Sequence, residues 1–187
     1  FIGHAIAQVT ALQNGEGDVV SPQPSAETLS TLEAIDGLQI LQGADLGWDH
    51  LDLRQSGVFA DLNVRQAFHK TIPRQQILDA IVTPINPDAE VLNSLVYLAS
   101  QTELYDETVA QNTSDQYAEV DIEGAKELLA GATPTVRIMY NSGNPNRVTA
   151  FEAIQASASQ AGFQIVDGGS ATWSQELTQQ GWDATIF

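Results

Sequence analysis

The 187-residue chain contains no cysteine. Disulfide scaffolds, Cys-bearing zinc sites and thiol nucleophiles are excluded on that ground. The compartment stays open, because exported proteins need not use disulfides. Cations are scarce: seven Lys and Arg stand against 24 Asp and Glu, a formal net charge of -17. Phosphate recognition needs clustered Lys and Arg, so nucleic acid is excluded as a partner. An anionic membrane face would repel such a chain, and the acidic balance reads as solubility. No apolar run approaches the ~20 residues that span a bilayer. The chain opens at Phe1 without Met, inside a plausible helical pattern, as a piece cut from a longer protein would. Missing targeting signals therefore carry no information about the parent.

Motifs of bond chemistry are missing too. His4, His50 and His69 stand in neither H-x-x-x-H nor H-E-x-x-H spacing, so metal binding has no local support and surface or packing histidines are expected. No G-x-S-x-G elbow, P-loop or dinucleotide fingerprint occurs. Gly15-Glu16-Gly17 reads as a helix stop, and Gly168-Gly169-Ser170 as a turn. A glycosidase-type carboxylate pair is compatible with so many acids, but nothing selects two of the 24. No cofactor and no metal is called for.

What the chain has is an ordinary core complement, 43% hydrophobic residues, and a length that suits one domain or one large lobe. Apolar spacing predicts helices over 5–12, from Pro24-Ser25-Ala26-Glu27 to about Ile35, and over 102–110, and one more helix is expected from Trp173 to about Gln179. Asp61 caps a helix that breaks near Ile72, and Pro73 fits the first position of another running to Val82. Asp121 caps a helix with Ala125, Leu128 and Leu129 inward. Strands are expected at 18–20, 38–41, 48–53, 135–140, 163–166 and 182–187, with irregular structure over 83–100. The last third is clearest: strand, the turn Asn141-Ser142-Gly143, an Asn144 cap with Pro145 at the first helical position, a helix to Ala161, the terminator Gly162, and another strand. Such a unit favours a parallel pair.

Two places suit a ligand. Trp173 follows a loop leaving a strand, where ligands of open sheets sit. Its indole offers a flat apolar wall with one N–H, or else it plugs the next helix onto the sheet; both readings are open. Asn141, Ser142 and Asn144 precede a helix N-terminus, which favours an anion such as a ligand carboxylate, or else they only cap. Arg65, one turn from Asp61, reads as structural, with a ligand carboxylate as the other possibility.

The stretch Asp61-Leu62-Asn63-Val64-Arg65-Gln66-Ala67-Phe68, continuing to Arg74-Gln75-Gln76-Ile77, resembles the "D-x-x-V-R-Q-A-F…R…I" block of the family 5 extracellular solute-binding proteins of peptide- and nickel-type ABC importers. Further blocks are similar in order: Ala11 to Val19, Trp48 to Leu53, Ala125 to Ala130, Asn144 to Arg147 with Ile154, Gln155 and Gly162, and Gly181 to Phe187. Arg54 and Pro73 depart from the family pattern. The resemblance implies a mixed α/β sheet flanked by helices, one lobe of a type II periplasmic-binding-protein-like clamp, with residues 1–187 as a single α/β lobe. It implies capture of a peptide or similar small solute, delivery to an ABC importer's membrane permease, a monomer, no enzymatic activity, and an extracellular or periplasmic setting, lipid-anchored at the cell surface in some members. Trp173, Asn141, Ser142 and Asn144 become the ligand-binding candidates. Because Asn141 and Ser142 carry no charge, a carboxylate clamp there is in doubt. The rival readings are a small secreted carboxylate-dependent hydrolase and an independent α/β interaction domain.

Overall fold

The computed structural model describes residues 5–43, 47–179 and 181–187. Four strands make its frame: β1 (Leu51–Leu53), β2 (Thr135–Asn141), β3 (Gln164–Ser170) and β4 (Ala184–Ile186), in the order β1-β4-β2-β3. β2 runs parallel to β3 and β4, and β1 runs antiparallel to β4, so the sheet is mixed. The long helix of the last third (Pro145–Ala161) joins β2 to β3. Its ends lie where local chemistry puts them: the Asn144 side chain accepts from Asn146 N at 3.0 Å, Pro145 needs no N–H partner, and Gly162 takes φ 108°.

Numbered along the chain, the helices are α1 (Ala5–Gln13), α2 (Ala26–Glu33), α3 (Leu62–Lys70), α4 (Arg74–Ile81), α5 (Thr102–Gln111), α6 (Ile122–Leu129), α7 (Pro145–Ala161) and α8 (Trp173–Glu176). One sheet face packs on α7, backed by α3, α4 and α6. Val136, Ile138 and Ile186 from the sheet meet Phe59, Phe68, Ile154 and Phe163 there, all buried. The Phe68 ring lies 5.1 Å from that of Phe59 and 5.2 Å from that of Phe163, contacts that add to the burial of their area. Arg74 fastens the irregular stretch that follows α4: Nη1 donates to Leu92 O (3.2 Å) and Asn93 Oδ1 (2.9 Å), and Nη2 to Tyr117 O (2.7 Å). Among the described residues no member of this core precedes Leu51. α1 and α2 pack on each other, and Asn146 Nδ2 reaches Pro24 O of their connection at 3.2 Å.

Several expectations need correction. Residues 18–20 and 38–41 are not strands: among the described residues neither run joins the sheet, and Val19 and Leu41 are 89% and 85% exposed. The first strand starts at Leu51, not Trp48, because β4 offers a three-residue ladder from Leu51↔Ile186 to Leu53↔Ala184. Pro73 is the residue before α4 rather than its first. α8 ends at Glu176, short of Gln179. Gly168-Gly169-Ser170 is no turn but the end of β3. The glycines are there for close approach: a Cβ on Gly168 would stand 2.6 Å from Ile138 O, and one on Gly169 2.7 Å from Tyr140 Cζ.

Candidate functional site

The parallel strands finish together, and their carboxyl ends make one rim. Asn141 pairs with Ser170 at the end of β2 and β3. Met139 lies beside Thr185, so Phe187 comes level with Asn141. The Phe187 N–H donates to His50 O at 3.0 Å, bringing the start of β1 to the same place.

Aromatic rings line this rim. His50 stacks on Phe187, centroids 4.8 Å apart and planes 11° apart. Trp173 meets Phe187 edge-on at 5.0 Å and 74°, and Trp48 tilts against His50 at 5.9 Å. Trp48 is 42% exposed and the others are half-buried. The indole N–H of Trp173 donates to the Oγ1 of fully buried Thr185 at 2.9 Å. Trp173 thus seats α8 on the sheet, and what it leaves to the rim is apolar ring rather than a donor.

The turn at Asn141 is satisfied from within. Asn141 Oδ1 accepts from Gly143 N (2.9 Å), Ser142 N donates to Ser170 O (3.2 Å), and Asn144 N to Asn141 O (3.1 Å). Asn144 Oδ1 holds Asn146 N, while Arg147 N donates to Asn144 O. The start of α7 therefore keeps its own N–H groups occupied, and the geometry favours capping over an anion there. Asn141 Nδ2 and the Ser142 hydroxyl have no partner among the described residues and remain able to bond a neutral acceptor.

Polar groups flank the rings. Glu176 accepts from Ser170 Oγ (2.5 Å) and Thr172 Oγ1 (2.6 Å), and these two hydroxyls hold its pKa below the usual carboxylate range. His50 Nδ1 shares a hydrogen bond with Asp52 at 3.0 Å. Buried Arg147 pairs with Asp49 through Nη2 at 2.6 Å, and its Nη1 lies out of reach of solvent without a partner among the described residues.

Elsewhere the helices leave a shallow depression of about 390 Å³ beside Gln66, Lys70, Tyr117 and Asp121, crossed by the Lys70–Asp121 ion pair at 2.7 Å. No sequence candidate falls there. Arg65 is structural: its Nη1 donates to Phe59 O (2.6 Å) and Ala60 O (3.0 Å), closing the turn before α3, while Asp61 caps Asn63 N at 2.7 Å. His69 packs against Tyr117 at 5.4 Å, and burial, then Arg74 and Arg65, push its pKa down. His4 lies outside the described residues. No group of three or more His, Asp or Glu is placed to hold a metal among the described residues. The carboxyls with displaced pKa, Asp121 and Glu176, are both held low, whereas a hydrolase's general acid needs one held high.

Sequence reasoning named Trp173 and missed Trp48, His50 and Phe187 as its neighbours. A signal was present: Trp48 and His50 stand two apart, out of phase with the inward Leu51 and Leu53.

The chain belongs to the bacterial extracellular solute-binding proteins, family 5, whose middle-region model matches residues 1–187. This is a family of transport binding proteins, not enzymes, that act outside the cytoplasmic membrane. No curated protein matches the chain. Among solved structures it is similar to the periplasmic EDTA-binding protein EppA (TM-score 0.86, 20% identity, 100% of this chain and 38% of that one). It is also similar to the oligopeptide-binding protein AppA of Bacillus subtilis in complex with a nonapeptide (0.71, 20%, 100% and 39%). A third is NikZ of Campylobacter jejuni in complex with Ni(L-His) (0.70, 16%, 100% and 38%). The chain spans little more than a third of the length of these proteins and has the fold of one lobe of their clamp. Among the described residues no helix is long and apolar enough to cross a membrane.

Proposed function

We propose that this chain supplies one wall of the solute site in an ABC importer's extracellular binding protein, and that the solute is a peptide or a similarly small molecule. The observation that carries the reading is the rim itself, where half-buried rings adjoin amide and hydroxyl groups without internal partners. Trp173 gives the apolar wall, with Asn141 and Ser142 as donors to solute carbonyls. Asn144 holds the turn that presents them. The likeness to AppA with its nonapeptide supports a peptide as the solute.

The full-length protein closes by hinge motion around its ligand and delivers it to a membrane permease. It works as a monomer held at the cell surface by a lipid or free in the periplasm. Half of the contacts belong to the opposite wall, so this chain alone binds weakly. Thermal-shift titration of the full-length protein with a mixed tri- to pentapeptide library tests the reading. A rise in Tm that Trp173→Ala removes, with the fold intact by circular dichroism, is expected. No shift with any peptide, or a shift unaffected by Trp173→Ala, would overturn it.

A further inference from the structure

At its His50 side the rim has rings and acids, but no available cation. All seven Lys and Arg of the chain can be placed. Arg65 and Arg74 are tied to backbone carbonyls, and Lys70 and Lys126 are paired with Asp121 and Glu123. The backbone N–H groups of Arg54 and Arg137 meet Asp183 at the other end of the sheet, while the Arg137 side chain lies in a depression shared with Met139 and Glu176 and serves that carboxylate. At the His50 side of the rim stands Arg147, buried, bound to Asp49, and with Nη1 closed off from solvent. The backbone N–H groups at the start of α7 are likewise engaged. An anionic group arriving at the His50 side finds no free positive partner.

The opposite charge is well served. Asp49 and Asp52 keep 46% and 54% of their side chains exposed beside the rings. Aromatic faces attract cations through their quadrupole, and a guanidinium can also stack flat on them. The net charge of -17 on these 187 residues favours cationic solutes near this wall.

We propose that this rim takes a cationic side chain of the captured peptide, an arginine above all, laid against the His50, Phe187 and Trp173 rings with the flanking acids completing its charge. The inference rests on the capture reading above.

Calorimetric titration of the full-length protein with three end-blocked tripeptides, Ala-Arg-Ala, Ala-Leu-Ala and Ala-Glu-Ala, tests it. The arginine peptide is expected to bind at least about fivefold tighter than the glutamate peptide, and the gap should narrow in about 0.5 M salt. Asp52→Asn, which keeps an acceptor for His50, should lower the arginine-to-leucine affinity ratio by about twofold or more. Trp173→Phe, which keeps a ring against Phe187, should do the same through a weaker cation–π contact. Equal binding of all three peptides, preference for glutamate, or a ratio unchanged in both variants would overturn the proposal while leaving peptide capture standing. Failure of every peptide to bind would overturn peptide capture, and this proposal with it.

Discussion

Single residues carry opposite duties according to what surrounds them. His50 and His69 were indistinguishable in the sequence, each an isolated imidazole without ligand spacing. The fold sends His50 to the rim and packs His69 against Tyr117, within reach of the positive charges of Arg74 and Arg65. Burial and those charges disfavour imidazolium, so the folded pKa of His69 lies below its unfolded value of 6.5. A depressed folded pKa means that the stabilisation is fully present above pH 6.5 and is lost as pH falls below it. The urea midpoint should therefore drop between pH 7 and pH 5, and His69→Gln should reduce that drop. Equal slopes in variant and parent would assign the acid sensitivity to other groups. Trp173 teaches a related lesson. Its place after a strand was legible, but the fate of its N–H was not, because Thr185 lies 12 positions away and is set beside it only by the pairing of β2 with β4.

At the scale of elements, local chemistry was readable and distant pairing was not. The limits of α7 follow from Asn144, Pro145 and Gly162, all within a turn of the boundary they set. The caps of α3 and α6 are equally local, with Asp61 on Asn63 N and Asp121 on Gly124 N. The apolar runs at 18–20 and 38–41 had the composition of strands, but a strand needs a neighbour and among the described residues neither run joins the sheet. The glycines of β3 misled in the opposite direction. They carry a turn signature, yet their role is to let β3 approach β2 beneath Tyr140, whose buried hydroxyl is pushed up to about 12 by burial and the Asp167 carboxylate. Gly168→Ala places a methyl against the Ile138 backbone, which cannot swing aside, and should destabilise the protein by roughly 1–3 kcal/mol in urea unfolding. A cost near zero would show that the two strands are less tightly apposed.

For the molecule as a whole, the packed layer and the proposed recognition rim occupy different parts of the fold. One sheet face is sealed by α7 and its neighbours, while the strand ends meet solvent with rings and polar groups. The family block around Arg65 lies in the supporting layer, where Arg65 closes a turn and Arg74 pins the segment after α4. What identified the family in the sequence is therefore mostly scaffold. The rim was legible only in part: Trp173, Asn141, Ser142 and Asn144 could be picked out, but not Trp48, His50 and Phe187, which join them through contacts between distant strands.

The central claim is that solute meets this chain at the carboxyl rim of its sheet. Amide hydrogen exchange of the full-length protein, with and without a bound peptide mixture, tests it most directly. Within this chain the account predicts new protection at residues 48–50, 140–144 and 170–174. Protection confined to the depression beside Lys70 and Asp121, or none in this chain while the rest of the protein responds, would contradict it.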